Sequence, residues 1–427
     1  MQQLVAPVQR WVGRLLLTRL PPKKIDIAKI SSMPAKLTLP FRRDGLDPVP
    51  ELGRRRATEP VSKLMNVFGY TVWVATSQEA VRAVLSDAAG FSNDLRPMVG
   101  GEGDPVSQQI GGLGMTDPPE HTRLRRILTP EFTKRRLARL EPRIAEIVDQ
   151  QLDELEKAGP VADLVQTFAF PIPFLVICEL LGLPSEDREL FSQLGPARFD
   201  VSKGGAGAFG AMSQSRELLL DAVAKQRANP GEGLIGQIIR DLGNEIDDVE
   251  LAGLADGVFL GGYETSVSML SMGALVLLRD PSAMALLRSD DAAVDRVVEE
   301  LLRYLTVVQV AFPRFARHDM VVAGTKLRAG DIVLCSLSGA NRDTVFGPDA
   351  ERFDPRRPPG PHVAFGHGFH RCVGAELGRM ELRAAFQALA RRFPDMELAV
   401  DPAELTFREL SIVYGIDSLP VRVPQRG

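Results

Sequence analysis

The chain runs to 427 residues, 44% of them apolar, with 51 lysines and arginines against 55 aspartates and glutamates for a net charge of −4. A chain of this length makes two or three ordinary domains or one large one. The mildly negative balance, without a dominant basic block, argues against a nucleic-acid partner, and no run of about 18 apolar residues is present that could cross a membrane.

Residues 1–40 read as an N-terminal extension. In it Val8, Trp11, Val12, Leu15 and Leu16 recur at helical spacing beside Arg10, Arg14 and Arg19, until Pro21-Pro22 stops the pattern. Such an amphipathic helix could touch a membrane surface through residues 5–20. A cap over the protein's own apolar surface, or a partly unstructured segment, is the preferred reading. From there helical spacing dominates, near 131–157, 163–182, 184–195, 211–227, 247–279, 281–288 and 291–305. Strand-like alternation is confined to Thr71–Val74, to 320–337 with turns at Gly324 and Gly330, and to the last thirty residues. The pattern predicts a mainly α fold with small β-sheets (α+β). Gly204-Gly205-Ala206-Gly207 marks 200–210 as the best candidate for mobile backbone.

The segment 247–279 far exceeds the usual ~12 residues of a helix. Asp247 or Asp248 can cap its start, and Asp280-Pro281 ends it. Its middle reads Gly261-Gly262-Tyr263-Glu264-Thr265-Ser266. Adjacent glycines weaken a helix by about 1 kcal/mol each relative to alanine. Either they admit a close helix crossing, or the helix opens locally to leave room for a diatomic ligand beside Thr265. Glu300-Leu301-Leu302-Arg303 places opposite charges three apart, which on a solvated face is worth only a few tenths of a kcal/mol.

Three cysteines, odd in number and far apart, exclude a disulfide framework and fit a reducing cytoplasm. Cys178 and Cys335 lie in apolar runs and read as core filler. Cys372 differs. It stands in Phe365-Gly366-His367-Gly368-Phe369-His370-Arg371-Cys372-Val373-Gly374, where a helix begins. A helix N-terminus supplies the partial positive charge and free N–H donors that keep a thiolate ionised as an axial haem ligand. Gly368 permits a tight turn, Gly374 lets the helix start approach a flat macrocycle, and Phe365 can pack over the loop.

This stretch resembles the haem-binding signature of the cytochrome P-450 superfamily, Phe-x-x-Gly-x-x-x-Cys-x-Gly, with every fixed position present. The resemblance covers about residues 40 to 425. It implies a single domain over 41–427 with that family's fold: a triangular helical body holding haem b between a long central helix and the cysteine helix. Cys372 would be the axial ligand of the iron, with Phe365, Gly366, Gly374 and Gly261 beside the cofactor. Gly-Gly-x-Glu-Thr-Ser is similar to the family's oxygen-activating segment, which gives Thr265 and Glu264 the management of proton delivery. His121 and Arg125, four apart on one helix face, together with His370 and Arg314, match the propionate contacts. Glu300 and Arg303, with Arg352 of Arg352-Phe353-Asp354-Pro355, match a structural charge cluster that braces the cysteine loop.

Helical geometry sets Leu254, Gly257, Val258, Gly261 and Thr265 on roughly one face. The segment 307–312, with Val310 and Phe312, and the turn at Ile412 and Val413 match the rest of the pocket. Gln309 apart, these are apolar, so a lipophilic small-molecule substrate is expected. The implied activity is that of a monooxygenase inserting one atom of O2 by hydroxylation or epoxidation. Oxidative coupling or peroxide-driven oxidation on the same scaffold is the alternative among enzymes. A haem-based sensor or carrier is the alternative outside them, and the Glu264-Thr265 pair speaks against it. No flavin or nicotinamide fingerprint appears, so ferredoxin and ferredoxin reductase are the expected electron donors. Arg123, Arg126, Lys134, Arg135, Arg136, Arg371, Arg379 and Arg383 form either their docking surface or an ordinary solvated face. A cytoplasmic monomer is expected.

Overall fold

The longest apolar pattern becomes the organising helix. In the computed structural model, which describes residues 35–67, 70–94, 113–184 and 205–424, Asp248–Leu278 forms one unbroken central helix. Asp247 caps it, its carboxylate accepting from the Glu250 N–H at 2.7 Å and so satisfying a donor that lacks an intrahelical partner. Asp280 caps the next helix, Pro281–Leu287, in the same way. Most central-helix side chains are buried, so this element runs through the core.

The local opening expected at its glycines is absent. The helix is continuous, and the Thr265 hydroxyl donates back to the Gly261 carbonyl at 2.8 Å. The two glycines divide the work. A Cβ on Gly262 would stand 2.9 Å from Ile177 Cδ1 of the helix Pro171–Leu181, whereas one on Gly261 would meet nothing within 4 Å. One permits a close crossing; the other faces open space.

Further along, the central helix crosses Ala375–Arg392, the cysteine helix. There Gly273 yields to the Phe386 ring, which a Cβ would approach to 2.4 Å. Phe386 is fully buried, and removing such a side chain from water contributes about 1.5–3 kcal/mol. One contiguous apolar core draws residues from Leu124 to Val423.

The principal sheet has five strands in the order Val61–Val67, Tyr70–Ala75, Ile332–Cys335, Arg314–Ala316 and Phe91–Ser92. Ile332–Cys335 pairs in parallel with Tyr70–Ala75, Val333 opposite Trp73. Arg314–Ala316 turns Arg314 and Ala316 to its buried side. A three-stranded sheet joins Glu397–Leu398, Pro420–Arg422 and Val161–Asp163. The alternating region 320–337 is shared: Met320–Val322 and Thr325–Leu327 make a separate hairpin, and only Ile332–Cys335 enters the large sheet.

Two predicted helices are broken. Around 131–157 the chain makes Lys134–Leu137 and then Glu141–Lys157, the break falling before Pro142, whose missing N–H is harmless in a first turn. Around 163–182 a π-helical turn, Val165–Ala169, precedes Pro171–Leu181. The helices Pro50–Thr58 and Gln78–Ser86 were not anticipated, whereas Glu120–Leu128 carries His121 and Arg125 on one helix as expected. Gly205-Ala206-Gly207, expected to be mobile, begins the helix Gly205–Ala228; Gly204, the segment 185–204 and the amphipathic stretch 5–20 lie outside the described residues. No single helix among the described residues is long and apolar enough to cross a membrane.

Candidate active site

The cysteine loop is closed by its own backbone, the Cys372 N–H donating to the Phe365 carbonyl at 2.9 Å. Gly366 and Gly368 hold φ of 69° and 71°, a region that costs an L-residue strain. A Cβ on Gly368 would also lie 2.3 Å from the Leu85 carbonyl, so this glycine lets the loop rest on Gln78–Ser86. Gly374 has an ordinary conformation, and its N–H hydrogen-bonds the Cys372 sulfur.

Of the three cysteines only Cys372 is exposed. The residue keeps accessible surface, while protein around its sulfur is close enough for desolvation to push the thiol up. The Gly374 N–H and the charges of Arg125, Arg371 and Arg379 oppose that shift. The groups that would stabilise a thiolate are therefore already in place around it.

Beside the loop, two arginines and two histidines gather, with Asp117 the carboxylate that acts on His121 and Arg314. The His121 and His370 rings meet at a tilt of 55°, with centroids 4.2 Å apart. Asn93 bridges the set, its amide nitrogen 3.3 Å from His370 Nε2 while its carbonyl oxygen accepts from Arg314 Nη1. The His121 Nε2 and Arg314 Nε atoms are buried without a hydrogen-bond partner. Arg125 makes no ion pair among the described residues, and burial pushes its guanidinium down. His370 is driven to about 3 by burial and by the neighbouring His121, Arg314 and Arg125. Orphaned donors and two buried arginine charges are costly unless anions join them. Two carboxylates, such as haem propionates, would satisfy this set, and a flat group over Cys372 would find glycines at 257 and 261 without obstruction. The residues present fit a haem.

Along the central helix, Gly257, Gly261 and Thr265, four apart, make its open face. Leu254 and Val258, predicted to share that face, are 3% and 8% exposed and belong to the main core; they sit a fraction of a turn to the side. Val310 and Val413 are likewise buried, each in a bridge, to Ser336 and Val308 respectively. Phe312, 45% exposed, and half-buried Ile412 retain accessible surface. Gln309 is not a pocket residue. Its amide clasps Phe41 and Ser411 carbonyls and accepts from Arg43.

Glu264 is buried and pairs with Arg408 at 3.2 Å, while Arg408 also donates to exposed Asp417 at 2.5 Å. Sequence patterns give no hint of Arg408, which arrives from a hairpin 144 residues away.

The structural cluster needs one correction. Arg303 grips Glu300 in a fork at 2.7 and 2.8 Å and spends its other donors on the Asn341, Ala350 and Arg352 carbonyls. The second guanidinium on Glu300 belongs to Arg357, at 3.2 Å, and not to Arg352, whose side chain is exposed. A turn, with the Arg357 N–H bonded to the Asp354 carbonyl, carries Arg357 back towards the helix. Asn341 continues the bracing, its side chain accepting from Val363 N–H just before the cysteine loop. Elsewhere, a surface cavity of about 740 Å³ between Arg143, Gln226 and Gly233 shares no residue with this site.

The family model for cytochrome P-450 matches residues 233–403. Cytochrome P-450 165B3 of Amycolatopsis orientalis is 42% identical over 389 residues, 90% of this chain and 98% of its own. The monooxygenase PikC of Streptomyces venezuelae is 38% identical over 384 residues, 88% of this chain and 91% of its own. The crystal structure of OxyC, implicated in an oxidative C–C coupling reaction during vancomycin biosynthesis, is similar with a TM-score of 0.81 at 41% identity, covering 91% of this chain and 97% of that one. With full-length likeness at this level, and a cysteine loop and cation set suited to the cofactor, the chain belongs to the cytochrome P-450 family of haem-iron oxidoreductases.

Proposed function

We propose that this monooxygenase binds haem b through Cys372, with His121, Arg125, Arg314 and His370 on the propionates, and oxidises a lipophilic small molecule. The observation that carries the reading is the Cys372 sulfur, held by the Gly374 N–H and facing three arginine charges on the one cysteine that is exposed. When bound, thiolate-ligated haem iron activates dioxygen and inserts one oxygen atom into the substrate, the other leaving as water. The chain's own residues govern water, orientation and protons. Phe312, Ile412 and the glycine face offer apolar contact and room, so few polar groups orient the substrate. The Thr265 hydroxyl, now donating to the Gly261 carbonyl, can turn its proton to the cavity. Glu264 exchanges protons with solvent when its contact to Arg408 opens towards Asp417.

Electrons come from a ferredoxin and its reductase. Among the cations expected to dock it, Arg123, Lys134, Arg136, Arg379 and Arg383 are engaged by Glu250, Glu376, Glu131, Glu299 and Asp295, which leaves Arg126, Arg135 and Arg371 the exposed candidates. A second reading, oxidative coupling, is favoured by the likeness to OxyC. It uses the same loop and differs in the product: a new bond within the substrate and no oxygen gained.

The reduced protein under carbon monoxide is expected to absorb at the long wavelength of thiolate ligation, and Cys372→Ala to lose that band. A histidine-type spectrum overturns the assignment. Turnover under isotopically labelled dioxygen separates the two reactions, since only insertion labels the product.

A further inference from the structure

Glu299 stands one residue before the structural Glu300 and faces a different set of partners. Its Oε1 accepts from Arg379 Nε at 2.5 Å, and its Oε2 accepts from Arg379 Nη2 at 3.0 Å. His362 Nε2 also lies 3.0 Å from Oε2. The Ala364 N–H donates to His362 Nδ1 at 3.2 Å, which puts the imidazole proton on Nε2, aimed at Glu299. Three elements meet here: the helix Asp291–Leu305, the strand-like approach to the cysteine loop, and the cysteine helix.

The cluster touches the ligand loop. The Arg379 guanidinium lies 4.7 Å from the Phe365 ring centroid, and the Phe365 carbonyl accepts the Cys372 N–H. Arg379 and Cys372 also interact electrostatically. Burial alone would push the Glu299 carboxyl up, but bonds from His362 and Arg379 hold it at about 2, so it is charged at any working pH. Packing does not require such a pair, because apolar residues of similar volume fill a partly buried site at least as well.

We propose that Glu299 and His362 are positioning residues that fix Arg379 over Phe365, and that the opposed charges of Glu299 and Arg379 set the reduction potential of the thiolate-bound haem iron. The inference rests on Cys372 being the axial ligand. Reduction adds negative charge beside the sulfur. A cation held there favours the reduced state, and a carboxylate behind it offsets that effect.

The test is a redox titration of the holoprotein as wild type, Arg379→Gln, Glu299→Gln and the double variant, each checked for its carbon monoxide band. The expected result is a lower potential for R379Q, a higher one for E299Q and a return towards wild type in the double variant. A merely mechanical brace would move both single variants the same way. Shifts of one sign, or none, overturn the proposal. If R379Q fails to retain haem, E299Q decides alone: a rise upholds the inference, and an unchanged or lower potential ends it. A wild-type protein without the thiolate band would instead overturn the Cys372 assignment, so the two failures are distinct.

Discussion

Thr265 and Glu381 show how differently single residues on the two crossing helices bear on function. Changing Thr265 to alanine leaves the fold intact, since its hydroxyl bonds only a carbonyl of its own helix. The expected outcome is uncoupling, with product per electron falling at least about tenfold and peroxide released in its place; measured stoichiometry checks it. Glu381 is buried on the cysteine helix and hydrogen-bonded to Ser266. Burial pushes its carboxyl up to about 8, against the pull of that bond. An acid whose folded pKa is raised destabilises the fold from its unfolded pKa upward, because only the unfolded chain ionises there. The penalty grows between pH 4.5 and 8 and reaches at most about 5 kcal/mol. Glu381→Gln should therefore gain stability over wild type as pH rises through that window, as denaturant titrations at pH 5 and 8 would register. Cys372 was legible in the sequence because its chemistry needs a local pattern of glycines. Arg357, Asn93 and Arg408 were not, because each reaches its partner through a turn or a hairpin that no spacing encodes.

Elements were readable where one physical demand dominated. The central helix has an aspartate cap, a long apolar run and a terminating Asp-Pro, and it forms as expected from Asp248 to Leu278. Periodicity failed where the chain stays apolar while changing helical pitch, as at Val165–Ala169. It also failed for Leu254 and Val258, which a coarse helical wheel places beside Gly257 but the surrounding elements cover. The Asp291–Leu305 helix carries the prediction for this scale. Arg357→Ala strips one of two guanidinium partners from buried Glu300, which Arg303 still grips, and should cost roughly 1–3 kcal/mol, with weaker haem retention during purification. Arg352→Ala removes an exposed side chain and leaves its carbonyl in place, so thermal melting should scarcely move. Equal losses in the two variants would restore the original pairing.

The molecule as a whole combines a helical core with a sheet assembled from distant segments, Tyr70–Ala75 against Ile332–Cys335 and Phe91–Ser92 against Arg314–Ala316. That sheet is what brings Arg314 to Asn93 and His370, and sequence could suggest those residues only as separate members of a family pattern. Its net charge of −4 is small, so a local basic surface is what would attract the proposed ferredoxin. The rate of the first electron transfer from a ferredoxin should fall steeply as salt rises, and Arg135→Glu with Arg371→Glu should flatten that dependence; stopped-flow reduction measures both. An unchanged salt slope would move the docking surface elsewhere.

The paired glycines at 261 and 262 have an outcome for how such a catalyst can diversify. Because Gly262 answers to Ile177, while a Cβ on Gly257 or Gly261 would meet no protein atom within 4 Å, a methyl at either of these two would be felt by a bound group before it was felt by the polypeptide. Two codons could thus tune what lies against that helix while its packing on Ile177 stays as it is.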